Sequence, residues 1–208
     1  MSKIIGVFGS TGAQGGSVLR ALVKDGKYLI RAITRNPKSE KAIELSKLKN
    51  VTVHQADLDD PSTAIEDYGL KQSDIISFPS IRVPMYYEGL PSLFIKKNDE
   101  NQFLITLPVG YKPVYFIGVN DIGDCVKSIF DYQDEYKNII LSNPLNLPID
   151  LSLEKFRLNN FPGVEDLAIM FEYFQTGKMI RDIDLAKKLN KSVLSFDQWV
   201  EQNKDFFK

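Results

Sequence analysis

Histidine and cysteine are almost missing from this chain, which carries one of each, His54 and Cys125, among 208 residues. A lone cysteine excludes an internal disulfide and suits a reducing compartment. Standing far apart in sequence, the two give little support to a metal centre or a Cys/His nucleophile. His54 ends an apolar run and reads as structural. Charge of either sign is also not in excess, with 26 Lys and Arg against 27 Asp and Glu. The basic surface that nucleic acid demands is therefore not expected. No apolar run approaches the roughly 20 residues that span a bilayer. Ile4 to Phe8 is too short for a signal peptide and runs straight into a structured motif. The expectation is a soluble, cytoplasmic α/β protein.

What the chain does have is glycine in a telling place. Lys3 to Phe8 is a short apolar run of the kind that fills a buried parallel strand. It opens into Gly9-Ser-Thr-Gly-Ala-Gln-Gly-Gly16 and then into Ser17 to Val23, which reads as a helix. Gly9 lets the chain turn, Gly12 lets backbone approach a pyrophosphate, and Gly15 with Gly16 lets the helix pack against the strand. The amides around Ser10, Thr11, Ala13 and Gln14, with the positive end of the helix dipole, then face the phosphates. A ligand-free glycine turn is the bland alternative.

Tyr28 to Thr34 reads as a second strand, ending in Arg35-Asn36-Pro37-Lys38-Ser39, with a helix over about Ser39 to Lys49. At this strand tip a carboxylate accepts the ribose hydroxyls of NAD, whereas an arginine accommodates the 2′-phosphate of NADP. Arg35 and Lys38 favour NADP(H), because a guanidinium offers phosphate a bidentate fork. Two solvated charges in a proline turn are the plainer reading. Val51 to His54 is a third strand. In the loop behind it, Asp57 and Leu58 pass where an adenine would lie, or Asp57 to Asp60 form an acidic cap for a helix beginning at Pro61.

These residues carry a resemblance. Gly9-Ser-Thr-Gly-Ala-Gln-Gly-Gly-Ser17, Thr34-Arg-Asn-Pro-Lys38 and Ala56-Asp-Leu-Asp-Asp60 are similar to the NmrA-like family, NADP(H)-binding relatives of the extended short-chain dehydrogenases. The G-x-x-G-x-x-G spacing agrees. Ile81-Arg-Val-Pro-Met-Tyr-Tyr-Glu88 resembles the family segment beside the nicotinamide, which implies a cofactor role for Met85, Tyr86, Tyr87 and Glu88. The likeness continues through Val119 to Gly123, Asn160 to Ala168, Arg181 to Asp184 and Phe196 to Gln202. It is nearest to the animal-type NADPH-sensing members, and so implies regulatory protein partners and a homodimer in the cofactor-poor state. A nuclear role would run through those partners.

Two departures stand out. Between Asp57 and Ile81 the chain lacks the length for the fourth and fifth strands that the family carries before its R-x-P segment. Their loss would bare the edge of the first strand, unless Ile75 to Ile81 moves in beside it by a right-handed crossover. A second gap lies between Ser142 and Pro162, where Asn143 to Pro148 replaces a helix. Short-chain dehydrogenases also use Tyr-x-x-x-Lys, the lysine lowering the tyrosine pKa. None of the nine tyrosines has a lysine four residues on. No catalytic residue is therefore assigned.

The expected architecture is a Rossmann-like parallel sheet flanked by helices, reduced in strand number, over residues 1–88, with a smaller α+β lobe over 89–208. In that lobe Gly89 to Lys96 reads as a helix, Asn120 to Phe130 as an amphipathic helix holding Cys125 on its apolar side, and Ser195 with Gln198 as a capping box. Phe161, Leu167, Met170, Phe171, Tyr173, Phe174 and Trp199 pack helices together or line a partner groove. An NADP(H)-binding redox sensor is the favoured function. An NADP-dependent oxidoreductase and a cofactor-free interaction remnant are the alternatives.

Overall fold

Parallel strands gather first. The computed structural model describes residues 3–57, 59–60, 81–110, 112–132, 139–140, 144–145, 152–179, 181–182 and 184–207. Strand β1 (Ile4–Phe8), helix α1 (Ala13–Asp25), strand β2 (Leu29–Thr34), helix α2 (Glu40–Ser46) and strand β3 (Val51–Gln55) follow in order. The three strands form one parallel sheet in the order β1-β2-β3. Register sets Phe8 opposite Ile33 and Thr34 opposite Gln55, so all three strands end at one rim. Among the described residues no strand lies on the far side of β1. The segment holding Ile75 and Phe78 lies outside the described residues.

Helix α1 packs on this sheet because Leu19 and Leu22 recur one turn apart on its apolar stripe. Both are fully buried with Val7, Ile30, Ala32 and Val51. Gly26, at φ 74°, ends the helix and returns its amide to the Leu22 carbonyl at 3.1 Å.

The chain divides into two compact units, residues 1–81 with 119–139, and residues 82–118 with 140–208. This departs from the sequence boundary at residue 88, because the helix Val119–Asp131 returns to the first unit. Its Gly123 lies against α1 so closely that a Cβ there would stand 2.3 Å from the Ser17 carbonyl oxygen. Ser17 Oγ donates to the Asn120 carbonyl at 2.9 Å and accepts the Gly123 amide at 3.0 Å. Arg20 Nη2 adds a 2.7 Å bond to Asn120 Oδ1. At the far end Lys127 reaches Asp131 at 2.7 Å and Asp25 at 3.5 Å, and the Tyr28 hydroxyl donates to Asp131. Burial works to raise the Asp131 carboxyl. The Lys127 ammonium and the Tyr28 hydroxyl outweigh it and hold the group below its ordinary value.

On this helix Cys125 is wholly buried. Burial first, then the Asp121 and Asp124 carboxylates, push its thiol up to about 12. A thiol with so little thiolate is a poor nucleophile. The folded protein is expected to leave a disulfide-exchange reagent such as DTNB unconsumed at pH 8, with one equivalent reacting after denaturation. Rapid stoichiometric labelling of native protein would overturn this.

The second unit is built on aromatic packing. Strands Met85–Tyr86, Val114–Ile117 and Pro144–Leu145 form one small sheet, and Ile95–Lys97 pairs antiparallel with Phe103–Ile105. The expected helix over Gly89 to Lys96 is shorter, Leu90–Leu93, since Ile95 turns into that hairpin. Tyr87, Phe94, Phe116, Phe171 and Trp199 fill the core, joined at its margin by Phe161, Leu167, Met170 and Phe174. Tyr173 alone of the expected packing set is half-exposed. The capping box is present: Gln198 N donates to Ser195 Oγ at 3.2 Å, and Ser195 N to Gln198 Oε1 at 2.9 Å.

Candidate dinucleotide site

The site lies at the rim where β1, β2 and β3 end, the usual ligand position of an open parallel sheet. Gly9 turns the chain at φ 61°, a conformation that costs a side chain dearly. Gly12 donates its amide to the Gly9 carbonyl at 2.8 Å and is the N-cap of α1 with no side-chain cap. Gly16 makes the first helical bond, 3.0 Å back to the Gly12 carbonyl. Ala13, Gln14 and Gly15 thus supply the amides of a first turn, which precede any helical acceptor. No acidic residue stands in that turn to neutralise its dipole. Gly15 is the tightest position: a Cβ would meet the Gly9 carbonyl oxygen at 2.4 Å and that of Phe8 at 2.6 Å.

Ser10 takes a different role from the one expected. It is buried, its amide donates to the Ile33 carbonyl at 3.2 Å and its hydroxyl to the same atom at 3.1 Å. It braces the glycine loop against β2, since a buried polar group must find a partner inside the fold. Thr11 is half-buried, and its Oγ1 lies 3.3 Å from Thr34 Oγ1.

At the β2 tip Arg35, Asn36 and Lys38 are exposed and Pro37 is half-buried. Asn36 holds the turn, accepting Lys38 N on its Oδ1 at 3.0 Å and the Ser39 hydroxyl on its carbonyl at 3.0 Å. Ser39 in turn accepts the Ala42 amide at 3.3 Å and caps α2, so its hydroxyl is engaged within the fold. Behind β3, Asp57 Oδ1 accepts the Asp59 amide at 3.2 Å, a local turn in the acidic loop. Leu58 and the helix start expected at Pro61 lie outside the described residues. A groove of about 340 Å³ runs along β1 from Ile5 to Phe8, bounded by Gln14, Gly15 and Val18 of α1 and by Val126 and Phe130.

Met85, Tyr86, Tyr87 and Glu88 belong to the second unit. Tyr87 is fully buried, stacked on Phe116 with centroids 5.9 Å apart, so its ring is core rather than site wall. Glu88 Oε1 accepts the Trp199 indole N–H at 3.3 Å. Met85 and Tyr86 are half-buried in a strand. Burial, then the Glu88 carboxylate, hold the Tyr86 phenol above its ordinary value. Among the described residues no cluster of His, Cys, Asp and Glu has the makings of a metal site. Nor does any described helix have the length and apolarity to cross a membrane.

Comparison with known proteins bears on this arrangement. The NmrA-like family model matches residues 1–78. The rat NmrA-like family domain-containing protein 1 is 30% identical over 207 residues, spanning 99% of this chain and 98% of the relative. The chain belongs to the NmrA-like family. Its fold is shared by a nucleoside-diphosphate-sugar epimerase of Staphylococcus aureus, with TM-score 0.74, 15% identity and coverage of 96% of this chain and 99% of the other. NmrA, a negative transcriptional regulator solved in complex with NADP, matches with TM-score 0.66 and 12% identity over 98% of this chain and 96% of that one. Of the NmrA-like residues expected from sequence, the glycine loop and the Arg35 to Ser39 turn come together at the rim of the first unit. Two went unread. Thr34 opens the family-like stretch Thr34 to Lys38, but beyond that and its place at a strand end it carried no sign of a role in the site. Gly123 did carry one, a glycine inside an amphipathic helix.

Proposed function

We propose that this NmrA-like chain binds NADP(H) at the β1–α1 loop and acts as a redox-sensing regulatory protein rather than a hydride-transfer enzyme. One observation carries the reading. The bare first turn of α1, kept open by Gly9, Gly12 and Gly15, shares its rim with Arg35 and Lys38. Amides and a helix dipole take the diphosphate, and the guanidinium takes the 2′-phosphate. That NmrA itself is known in complex with NADP and with NAD supports the ligand class. Against catalysis stand the absence of Tyr-x-x-x-Lys and a Tyr86 phenol shifted away from neutrality, the wrong direction for an acid/base at physiological pH. Regulation then requires the cofactor to bind two conformers with different affinity, so that occupancy alters partner binding or dimerisation.

Isothermal titration with NADPH and NADH tests the site. Wild type is expected to prefer NADPH. Arg35→Glu should weaken NADPH on the order of 100-fold, since a charged hydrogen bond is lost and a repulsion gained, while NADH changes little. Equal NADPH affinity in the variant would remove Arg35 from the site. Turnover of NADPH with a quinone or aldehyde panel would overturn the non-catalytic part.

A further inference from the structure

Thr34 is the last residue of β2, and it is buried although polar. Its hydroxyl stands between the two halves of the site. On one side Thr11 Oγ1, in the glycine loop, lies 3.3 Å away, close enough for either oxygen to donate. On the other side the Asn36 amide donates to Thr34 Oγ1 at 3.4 Å. Asn36 in turn accepts Lys38 N and the Ser39 hydroxyl, so the same short network shapes the turn that carries Arg35. The strand positions are also pinned: the Thr34 carbonyl accepts Ala56 N at 3.1 Å, and Ser10 ties the loop to Ile33.

A hydroxyl has one proton and two lone pairs. Accepting from Asn36 leaves Thr34 its proton to give, and the acceptor within reach is Thr11 Oγ1. Thr11 then keeps its own proton, which no bond among the described residues requires. We infer that Thr34 is a positioning residue of the dinucleotide site: its hydroxyl turns Thr11 outward as a donor to a diphosphate oxygen and links that donor to the turn bearing Arg35. The ligand class is an anionic phosphate ester. Hydrogen bonds in series polarise one another, so the Thr11 donor is strengthened by the chain behind it. Without Thr34 Oγ1 the Thr11 hydroxyl is free to rotate, and the Asn36 amide loses its acceptor. This rests on the NADP(H) reading above.

The experiment is a double-mutant cycle read by NADPH titration calorimetry on the full chain. Thr11→Val, Thr34→Val and the pair are compared, with apo melts recorded for each. Each single variant is expected to bind NADPH about tenfold more weakly, and the pair no more weakly than either. Thr34→Ser, which keeps the hydroxyl, should stay within about threefold of wild type. A bystander threonine would shift the melting point without coupling to Thr11. Losses that multiply to about 100-fold in the pair, or an unaltered Thr34→Val, overturn the inference. So does a Thr34→Ser protein as weak as Thr34→Val. Should Thr34→Val fail to melt cooperatively, Thr34→Ala takes its place, and the serine comparison decides on its own. Wild type that binds no NADPH overturns the site reading and this inference together. Wild type that binds while the cycle shows no coupling overturns this inference alone.

Discussion

Replacing Gly15 with alanine is expected to destroy dinucleotide binding and to destabilise the first unit by on the order of 3 kcal/mol. The added methyl carbon would sit 2.4 Å from one backbone carbonyl oxygen and 2.6 Å from another. Neither obstacle is a flexible side-chain end, so the start of α1 must lift from the β1 turn. The amides of Ala13 and Gln14 then lose their aim as well as their support. Thermal unfolding followed by circular dichroism should show a fall of roughly 6–12 °C, as expected for that loss in a chain of this size. Calorimetry should show no saturable heat with NADPH. A Gly15→Ala protein that melts and binds like wild type would mean that the turn relaxes at no cost, and the close-approach account of the loop would fall.

The largest effect in the second unit is expected at Phe171. Its ring is fully buried and meets Phe94, Phe156 and Phe174 edge-on, with centroids 5.7, 5.2 and 6.0 Å away. Truncation to alanine removes the transfer energy of the ring, leaves a cavity between three aromatics, and forfeits their edge-to-face contacts. Together these cost about 4 kcal/mol. Chemical denaturation with near-ultraviolet detection should register it. A loss under about 1 kcal/mol would show that the cluster collapses onto the gap, since the penalty depends on how far a site relaxes. Phe171→Leu should recover more than half.

The first unit was legible because its signals are local. Two of the opening glycines have conformational reasons that the fold bears out, a positive φ at Gly9 and a close backbone approach at Gly15, while Gly12 stands as the N-cap of α1. The basic strand tip was equally plain, since Arg35 and Lys38 follow directly on an apolar run. What escaped depends on partners distant in sequence. Ser10 belongs to the ligand motif by position, yet the carbonyl that claims its hydroxyl comes from the neighbouring strand. Tyr86 and Tyr87 look alike in sequence, yet the strand ends at Tyr86 and the 3-10 turn that begins at Tyr87 carries its ring into the aromatic core. The helix Val119–Asp131 was read correctly as an element and misplaced as a member. Nothing within its own residues says that Ser17 completes its first turn. The short stretch between Asp57 and Ile81, by contrast, was visible simply as length, and most of it lies outside the described residues.

The return of Val119–Asp131 to α1 also has a bearing on the order in which the protein matures. A nascent chain released as far as residue 118 already holds β1, α1 and β2, but not the helix against which Ser17 and Arg20 make their bonds. The first unit therefore cannot close as an early, independent product of translation. It waits for a stretch encoded after the first part of its neighbour. During that interval α1 offers an uncovered side to whatever chaperone attends the ribosome.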